Sequence, residues 1–230
     1  MQQYSFFRRS GVSTECGIPD FRSSNGLYNK VSKYSYTPEV ILSHSFFESH
    51  PDIFYDFLNN NLLKYNVTPN KGHFALAKLE QQGKIQAIIT QNIDNLHQDA
   101  GSKKVLELHG TLARFYCTNC LKYYSPALIK SKNTAPKCEC GGIIRPDIVL
   151  YEEPLDERIL EESIQYIKAA EVLIVAGTSL AVYPAAGLLR YFKGKHLIII
   201  NKDVTKYDTQ ADILIHEPFA ETMDKIMSIL

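Results

Sequence analysis

Four short apolar runs rich in β-branched residues constrain most strongly how this chain can fold. Runs of this length and composition are typical of strands that are buried on both faces of a parallel sheet. They are Ile85–Thr90, Val172–Ala176, Leu197–Ile200 and Ile213–Ile215, with weaker candidates at Tyr4–Phe7 and Ile148–Tyr151. A chain with several such strands needs other elements to cover both faces of the sheet.

Helical patterns separate the apolar runs and supply that cover. The predicted helices are Pro51–Tyr65, Asn70–Gln82, Leu155–Ala170 and Pro184–Phe192. Asn70 is a favourable N-cap residue for the second of these helices, and Gly83 follows the end of that helix. Strands that alternate with helices predict an α/β fold with a central parallel sheet.

Composition and charge exclude several classes of protein. Lys+Arg and Asp+Glu balance at 25 each, which argues against a dedicated nucleic-acid binder. No apolar run reaches the roughly 18 residues of a membrane helix, and we expect no signal peptide. We therefore expect a cytoplasmic monomer with no membrane partner and no direct nucleic-acid partner.

Four of the five cysteines fall within 24 residues, while Cys16 stands apart and is interpreted as a small buried hydrophobic residue. The spacing is Cys117-x-x-Cys120, 17 residues, then Cys138-x-Cys140 followed by two glycines. In a reducing compartment, such clustering indicates metal binding rather than disulfides. Four thiolates fill a tetrahedral zinc site, so the predicted Zn²⁺ is structural. The alternative is four core cysteines without a ligand.

Six sequence segments, each too short to be specific alone, together resemble the motifs of a known protein family. A glycine-containing turn at Gly11 opens the stretch GVSTECGIPDFRS, and exposed amides at such a turn suit a pyrophosphate. The other segments, in chain order, are TQNIDNLH (90–97), ELHG (107–110), RPDIVLY (145–151), GTSLAVYP (177–184) and Ile200-Asn201. Together with the cysteine cluster, this ordered set resembles the sirtuin family along nearly the whole chain.

The resemblance implies a fold and an activity. It implies a discontinuous Rossmann-like NAD-binding domain (residues 1–28, 66–112 and 146–230) with an inserted small domain. The small domain would comprise a helical part, 29–65, and a zinc-ribbon module, 113–145. NAD and an acylated lysine would lie in a cleft between the domains. The implied activity is NAD-dependent protein-lysine deacylation, with acetyl as the expected acyl group, releasing nicotinamide and O-acyl-ADP-ribose.

The resemblance also assigns roles to individual residues. His109 matches the general base, and an imidazole pKa of about 6.5 suits that role at neutral pH. Gln91 and Asn92 match residues that hold the ribose and orient the base, and Asp94 matches the carboxylate that binds the nicotinamide amide. Other residues implied to contact the cofactor are Gly11, Asp20, Phe21, Arg22, Gly177, Thr178, Ser179 and Asn201. Without the resemblance, Asp94 would be interpreted as a helix cap.

The acylated peptide is implied to contact a second set of residues. Val149, Leu150 and Tyr151 match the segment that pairs with the substrate backbone and encloses the lysine stem, and Tyr55 and Val182 match further substrate contacts. Family members that prefer succinyl or malonyl groups carry Tyr-x-x-Arg where this chain has Tyr55-Asp56-Phe57-Leu58. Because leucine cannot pair with a carboxylate, acetyl or longer aliphatic acyl groups are predicted.

The chain departs from the family pattern in two places. The usual Gly-Ala-Gly turn, which follows an opening helix and strand, reads Arg9-Ser10-Gly11, and Arg9 is expected to hinder the approach of the pyrophosphate. Glu152 stands where many members have glycine, and its charge is expected to favour basic peptides slightly. Two other functions therefore stay open: an NAD hydrolase or mono-ADP-ribosyltransferase, and a non-catalytic zinc-containing binding protein.

Overall fold

The computed structural model describes residues 4–8, 15–17, 34–65, 67–129, 134–177 and 185–230. These residues group into two compact units. The large unit comprises the described residues within the ranges 1–18, 68–108 and 155–230, and the small unit comprises those within 19–67 and 109–154. No helix in the described ranges is long and apolar enough to cross a membrane.

The strands of the described residues form two sheets. In chain order they are β1 (Tyr4–Arg8), β2 (Ile85–Thr90), β3 (Val105–Glu107), β4 (Gly110–Cys117), β5 (Tyr123–Tyr124), β6 (Ile144–Ile148), β7 (Val172–Ala176), β8 (His196–Ile200) and β9 (Ile213–Ile215). The large unit holds a six-stranded sheet in the order β3-β2-β1-β7-β8-β9, and every neighbouring pair is parallel. This is the strand order of doubly wound dinucleotide-binding folds.

The helices follow the same numbering. They are α1 (Pro38–Ile41), α2 (His44–Ser49), α3 (Pro51–Asn61), α4 (Lys71–Gln81), α5 (Leu96–Asp99), α6 (Glu157–Ala169) and α7 (Phe219–Ile229), with 3₁₀ turns at Pro126–Leu128, Ala185–Tyr191 and Asp208–Gln210. The Asn70 side chain accepts from the His73 N–H at the start of α4, and Asp156 caps α6 in the same way. Both caps satisfy N–H groups that a helix start leaves without partners.

The central strands β2 and β7 of the large sheet are buried on both faces, whereas Ile213 and Leu214 of the edge strand β9 are exposed. Alternate residues of a strand point to opposite faces, so Leu173 and Val175 join one apolar cluster, whereas Val172 and Ile174 join the other. Helix α6 and the Ala185–Tyr191 turn contribute to the first cluster, and helices α4 and α7 contribute to the second. The two-sided burial confirms the predicted α/β architecture with a parallel sheet.

The small unit contains a three-stranded antiparallel sheet in the order β5-β4-β6 together with helices α1, α2 and α3. Its helical core is aromatic: Phe54, Tyr55 and Phe57 are fully buried, and Phe47 packs edge-to-face on Phe54. The domain boundaries inferred from the sequence stay a prediction.

Most predicted elements are confirmed, and the differences have local causes. Helix α3 ends at Asn61 instead of Tyr65, because the N–H of Leu63 donates to the Leu58 carbonyl, five residues earlier, and thus leaves the α-helical pattern of bonds to the fourth residue back. The predicted strand Ile148–Tyr151 is wrong: β6 ends at Ile148, because the N–H and C=O of Leu150 both bind Glu153. The Pro184–Phe192 helix is a 3₁₀ segment, Ala185–Tyr191.

The carboxylate of Glu15 anchors the start of α7. Its two oxygens accept from the N–H groups of Phe219 and Ala220, each at 3.0 Å, and Pro218 supplies no side-chain cap of its own. We expect Glu15→Ala to lower the free energy of unfolding by about 1 kcal/mol, since two helix-start donors lose a charged acceptor. Urea unfolding measures this, with Glu221→Ala, an exposed acid in the first turn of the same helix, as the control. Equal effects of the two substitutions would contradict the anchoring role.

Candidate functional site

The carboxyl ends of four parallel strands share one row of the large sheet. Arg8 pairs with Thr90 on one side and with Ala176 on the other, and Ala176 in turn pairs with Ile200. From β1 the chain adds β2 and β3 on one side of the sheet, and later adds β7, β8 and β9 on the other side. The connections between strands therefore change direction between β1 and β7. Open α/β sheets bind ligands beyond the carboxyl ends of their strands at such a reversal point.

The residues that follow this row are small or polar. Gln91 and Asn92 follow β2, Gly177 follows β7 and Asn201 follows β8, so these predicted cofactor contacts lie along one edge of the sheet. The N–H of Asn92 donates to Thr90 Oγ1 at 3.0 Å, and the N–H of Gly177 donates to the Ile200 carbonyl at 3.1 Å. Amide side chains and a glycine at this edge fit a dinucleotide such as NAD.

Asp94 takes part in a helix start, as its interpretation without the resemblance predicts. Its Oδ1 accepts from the N–H of Leu96 at 3.0 Å, at the first residue of α5, and the preceding Asn95 adopts a left-handed conformation with φ 66°. This contact fixes the orientation of the carboxylate. Its predicted binding of the nicotinamide amide stays a prediction.

His109 is bound through its main chain to the predicted substrate segment. The N–H of Val149 donates to the His109 carbonyl at 3.0 Å, and in the next residue pair Gly110 lies opposite Ile148. Gly110 has φ 72°, and a Cβ atom there would lie 2.1 Å from the Asp147 carbonyl oxygen. Glycine is therefore required at this turn, which carries His109 beside Val149.

The predicted substrate segment is fixed within the small unit. Leu150 is buried and its neighbours Val149 and Tyr151 are more exposed, as in an extended chain that lies on a core. The N–H of Tyr151 donates to the Leu42 carbonyl, and the Tyr151 carbonyl accepts from the N–H of His44, both at 3.0 Å. These bonds tie the segment to the turn that precedes α2.

A buried ion pair beside this segment has no counterpart in the sequence predictions. Arg145 Nη1 and Nη2 contact the two carboxylate oxygens of Glu153 at 2.6 and 2.9 Å, and Glu153 also accepts from the Leu150 N–H at 2.8 Å and contacts His44 Nδ1 at 2.8 Å. Burial of the carboxyl raises the pKa of Glu153, but these hydrogen bonds outweigh burial and lower the pKa to about 2. Glu153 is therefore a carboxylate at neutral pH.

Tyr55 and Leu58, the residues predicted to face the acyl group, lie in the aromatic core of the small unit. Both are fully buried, and the Tyr55 hydroxyl donates to the Ile144 carbonyl. Burial raises the pKa of Tyr55, so this hydroxyl keeps its proton. The role of Tyr55 as a substrate contact stays a prediction.

A shallow groove of about 360 Å³ lies on the small unit beside the substrate segment, and its lining includes Val40, Phe46, Tyr151, Glu39 and Glu152. Glu152 has φ 76°, a left-handed conformation in which glycine is the favoured residue, and family members often have glycine there. Its carboxylate accepts from the N–H and the hydroxyl of Ser45 at 2.9 and 3.0 Å. The charge of Glu152 is thus held in place at the edge of the groove.

The four clustered cysteines converge on one point. Their sulfurs all lie within 4.8 Å of one another, with 3.4 Å between Cys117 and Cys140 and 3.6 Å between Cys120 and Cys138. Sulfurs bound to zinc at about 2.3 Å in a tetrahedron would lie about 3.8 Å apart, so the cluster fits Zn²⁺. A Cβ atom at Gly142 would lie 2.6 Å from the Cys117 sulfur, which explains the glycine after the second cysteine pair.

Tyr124 contacts the zinc site, and this contact was not predicted from the sequence. Its hydroxyl donates to the Cys138 sulfur at 2.9 Å, and this bond is the largest of several hydrogen bonds that together lower the pKa of Cys138 to about 6. The bond therefore favours the thiolate, which is the form that binds zinc.

Several predicted site residues lie outside the described residues. They are Gly11, Asp20, Phe21, Arg22, Thr178, Ser179 and Val182, together with the altered turn at Arg9 and Ser10.

A family comparison agrees with this geometry. The sequence model of the Sir2 family matches residues 10–184, about three quarters of the chain. The chain belongs to the Sir2 family. This assignment confirms the resemblance to sirtuins that the motifs carry.

Sirtuin relatives match nearly the whole chain. It is 53% identical over 224 residues to a protein named NAD-dependent protein deacetylase from Clostridium acetobutylicum, covering 96% of this chain and 91% of that protein. A protein of the same name from Clostridium perfringens is 51% identical, covering 96% and 92%. A solved structure titled "The Structural basis of Sirtuin Substrate Affinity" superposes with a TM-score of 0.89 at 40% identity, covering 98% of this chain and 93% of that chain. A Sir2 structure with a deacetylated p53 peptide and 3'-O-acetyl ADP ribose gives a TM-score of 0.87 at 39% identity, covering 98% and 92%.

Loss of one zinc ligand should destabilise the small unit, because the binding energy of a structural metal is also folding energy. We expect Cys117→Ala to bind less than one zinc per chain and to melt at a lower temperature. Metal analysis and thermal unfolding measure both quantities, and Cys16→Ala is the control because Cys16 lies outside the cluster. A Cys117→Ala variant with unchanged zinc content and melting temperature would show that the zinc assignment is wrong.

The low pKa of Glu153 predicts a pH-dependent contribution to stability. Because the folded pKa of about 2 lies below the ordinary value of 4.5, the stabilisation is fully present above pH 4.5 and is lost as the pH falls towards 2. At pH 7 we expect Glu153→Gln to lower the free energy of unfolding by on the order of 2 kcal/mol. Urea unfolding of the wild type and of Glu153→Gln from pH 7 to pH 3 measures how the difference in their free energies of unfolding changes with pH. Loss of zinc at low pH affects both proteins alike and therefore cancels in this difference. A difference that grows as the pH falls would contradict the assignment.

Proposed function

We propose that this protein is an NAD-dependent protein-lysine deacetylase. The observation that carries the proposal is the main-chain hydrogen bond from Val149 to His109, because it joins the predicted general base to the predicted substrate segment. A base can act only when it lies within hydrogen-bond reach of the proton that it removes. The same segment contacts the acylated peptide in this proposal, so substrate and base share one local framework.

The edge of the large sheet would hold the cofactor. Gly177 follows β7 with a left-handed φ of 58°, where a glycine lets the chain approach phosphates closely, and Asn201 follows β8, where its amide suits a ribose hydroxyl. Gln91, Asn92 and Asp94 would hold the nicotinamide ribose and the nicotinamide amide. NAD supplies the ADP-ribose that accepts the acyl group, with release of nicotinamide. The imidazole of His109 would remove the proton from the ribose hydroxyl that receives the acyl group.

The zinc ion has a structural role in this proposal. All four positions of a tetrahedral site are filled by cysteine sulfur, which leaves no position for water or substrate. The site joins the end of β4 at Cys117 to the turn at Cys138–Gly142 that leads into β6. Because β4 and β6 also carry the turn at Gly110 and the segment after Ile148, zinc supports the substrate segment indirectly.

The acyl group is proposed to be acetyl or a longer aliphatic chain. Leu58 occupies the position where carboxylate-binding relatives carry arginine, and the core around it is aromatic. A succinyl carboxylate placed there would lose its hydration without gaining a cation. The preference for basic peptides, attributed to Glu152, is proposed as a minor effect because surface charges are screened by salt. The cytoplasmic location and the monomeric state predicted from the sequence stay predictions.

Product analysis after incubation with NAD tests the function. With an acetylated peptide present, we expect nicotinamide, free lysine peptide and O-acetyl-ADP-ribose in equal amounts, with a slower reaction on a succinylated peptide. Nicotinamide release that does not depend on the peptide would instead indicate an NAD hydrolase or an ADP-ribosyltransferase. A calorimetric titration without heat at millimolar NAD would indicate a non-catalytic binding protein, in which Arg9 blocks the pyrophosphate.

His109→Ala should abolish deacetylation and leave the fold intact. We expect kcat to fall by about 10²–10⁴-fold, the usual contribution of a general base. Zinc content and melting temperature should stay near those of the wild type, because the bond to Val149 uses the His109 main chain. His196→Ala is the matched control, since His196 is an exposed histidine of β8. If both variants kept full activity, another group would have to be the base.

A further inference from the structure

The Arg145–Glu153 ion pair binds main-chain groups on both sides of Val149. Arg145 Nη2 donates to the Ile148 carbonyl at 3.0 Å, and Glu153 Oε2 accepts from the Leu150 N–H at 2.8 Å. Val149 itself donates to the His109 carbonyl at 3.0 Å. The ion pair thus fixes the residue before and the residue after the one that contacts His109.

Burial makes this pair rigid. The side chains of Arg145 and Glu153 are only 8% and 18% exposed, and both carboxylate oxygens are engaged by the guanidinium in a bidentate arrangement. The guanidinium carbon also lies 5.5 Å from the Phe47 ring centre and 5.7 Å from that of Tyr116. A bidentate pair between aromatic rings has little freedom to rotate, which suits it to hold a backbone in one geometry.

Stability alone does not require an ion pair at this position. Removing two charges from water is costly, and apolar residues of similar volume stabilise a core equally well in many proteins. Apolar residues cannot, however, bind the Ile148 carbonyl and the Leu150 N–H. The directional bonds to those two groups are what the charged pair adds.

We propose that Arg145 and Glu153 are positioning residues for the acylated peptide. They hold the segment from Ile148 to Tyr151 in its binding geometry and, through Val149, hold the main chain of His109. The inference rests on the proposed deacetylase function, because the segment is a substrate contact only in that reaction. Neither residue touches the reacting atoms in this account.

Steady-state kinetics of two substitutions test the proposal. Glu153→Gln keeps the shape but loses the charge, and Arg145→Lys keeps the charge but loses the two-pronged geometry. We expect KM for an acetylated peptide to rise about tenfold or more in Glu153→Gln, the effect of losing a charged hydrogen bond, and to rise less in Arg145→Lys. KM for NAD should stay within about twofold, because among the described residues neither Arg145 nor Glu153 shares a hydrogen bond with the proposed cofactor contacts Gly177 and Asn201.

Arg114→Gln is the matched control. Arg114 Nε contacts Asp147 Oδ2 at 2.8 Å, so this variant breaks another arginine–carboxylate pair of the same small sheet without touching the segment after Ile148. We expect its KM for the peptide to stay within about twofold of the wild type. Anisotropy of a labelled acetylated peptide gives its affinity independently of turnover and should rank the variants in the same order.

The outcomes separate the two proposals. A purely structural role would lower the melting temperature and the apparent kcat of Glu153→Gln while both KM values stay unchanged, because KM does not depend on the amount of folded enzyme. That result, with an active wild type, would overturn the positioning role alone. A wild type that neither binds nor deacetylates the peptide would overturn the proposed function and the positioning role with it.

Discussion

The position of His109 beside the predicted substrate segment depends on one main-chain hydrogen bond, from the Val149 N–H to the His109 carbonyl, and on the glycine that follows His109. At Gly110 the chain turns with a positive φ, and the Asp147 carbonyl lies so close that no side chain fits. This close approach lets β4 start opposite the end of β6, with Gly110 facing Ile148. The main chain of His109 therefore lies beside the segment after Ile148, independently of the conformation of the side chains. The proposed chemistry needs that neighbourhood, since base and acylated lysine must act on one sugar.

Two further devices stabilise the same pair of strands from different ends. The cysteine cluster ties the end of β4 to the turn before β6, with the Tyr124 hydroxyl on one of its sulfurs. The Arg145–Glu153 pair lies within β6 and in the turn beyond it, where it replaces the ladder bonds that end at Ile148. The first feature is a closed metal site and the second is a buried ion pair. Both hold the main chain in position, and neither is proposed to contact the substrate. The proposed active residues are thus carried by a framework that does not itself react.

Strands β2 and β7 were predictable from the sequence because they are buried on both faces, and the exposed edge strand β9 was predictable as a short apolar run. Ile85–Thr90, Val172–Ala176 and Ile213–Ile215 match the observed strands residue for residue, since an apolar run with flanking polar residues has few other interpretations. Strands β3, β4 and β5 escaped the prediction because β3 and β5 are short and β4 mixes aromatic, polar and small residues. The Arg145–Glu153 pair and Tyr124 also escaped it, because a contact made across a turn leaves no periodic pattern. The metal site, in contrast, could be predicted from the spacing of the cysteines alone.

The most direct test of the central claim is a crystal structure of the protein with an acetylated peptide and an unreactive NAD analogue. We expect the peptide backbone to lie along the segment from Val149 to Tyr151. We also expect the His109 imidazole to lie within about 3.2 Å of a hydroxyl of the nicotinamide ribose. A peptide bound elsewhere, or an imidazole that points away from the sugar, would contradict the account.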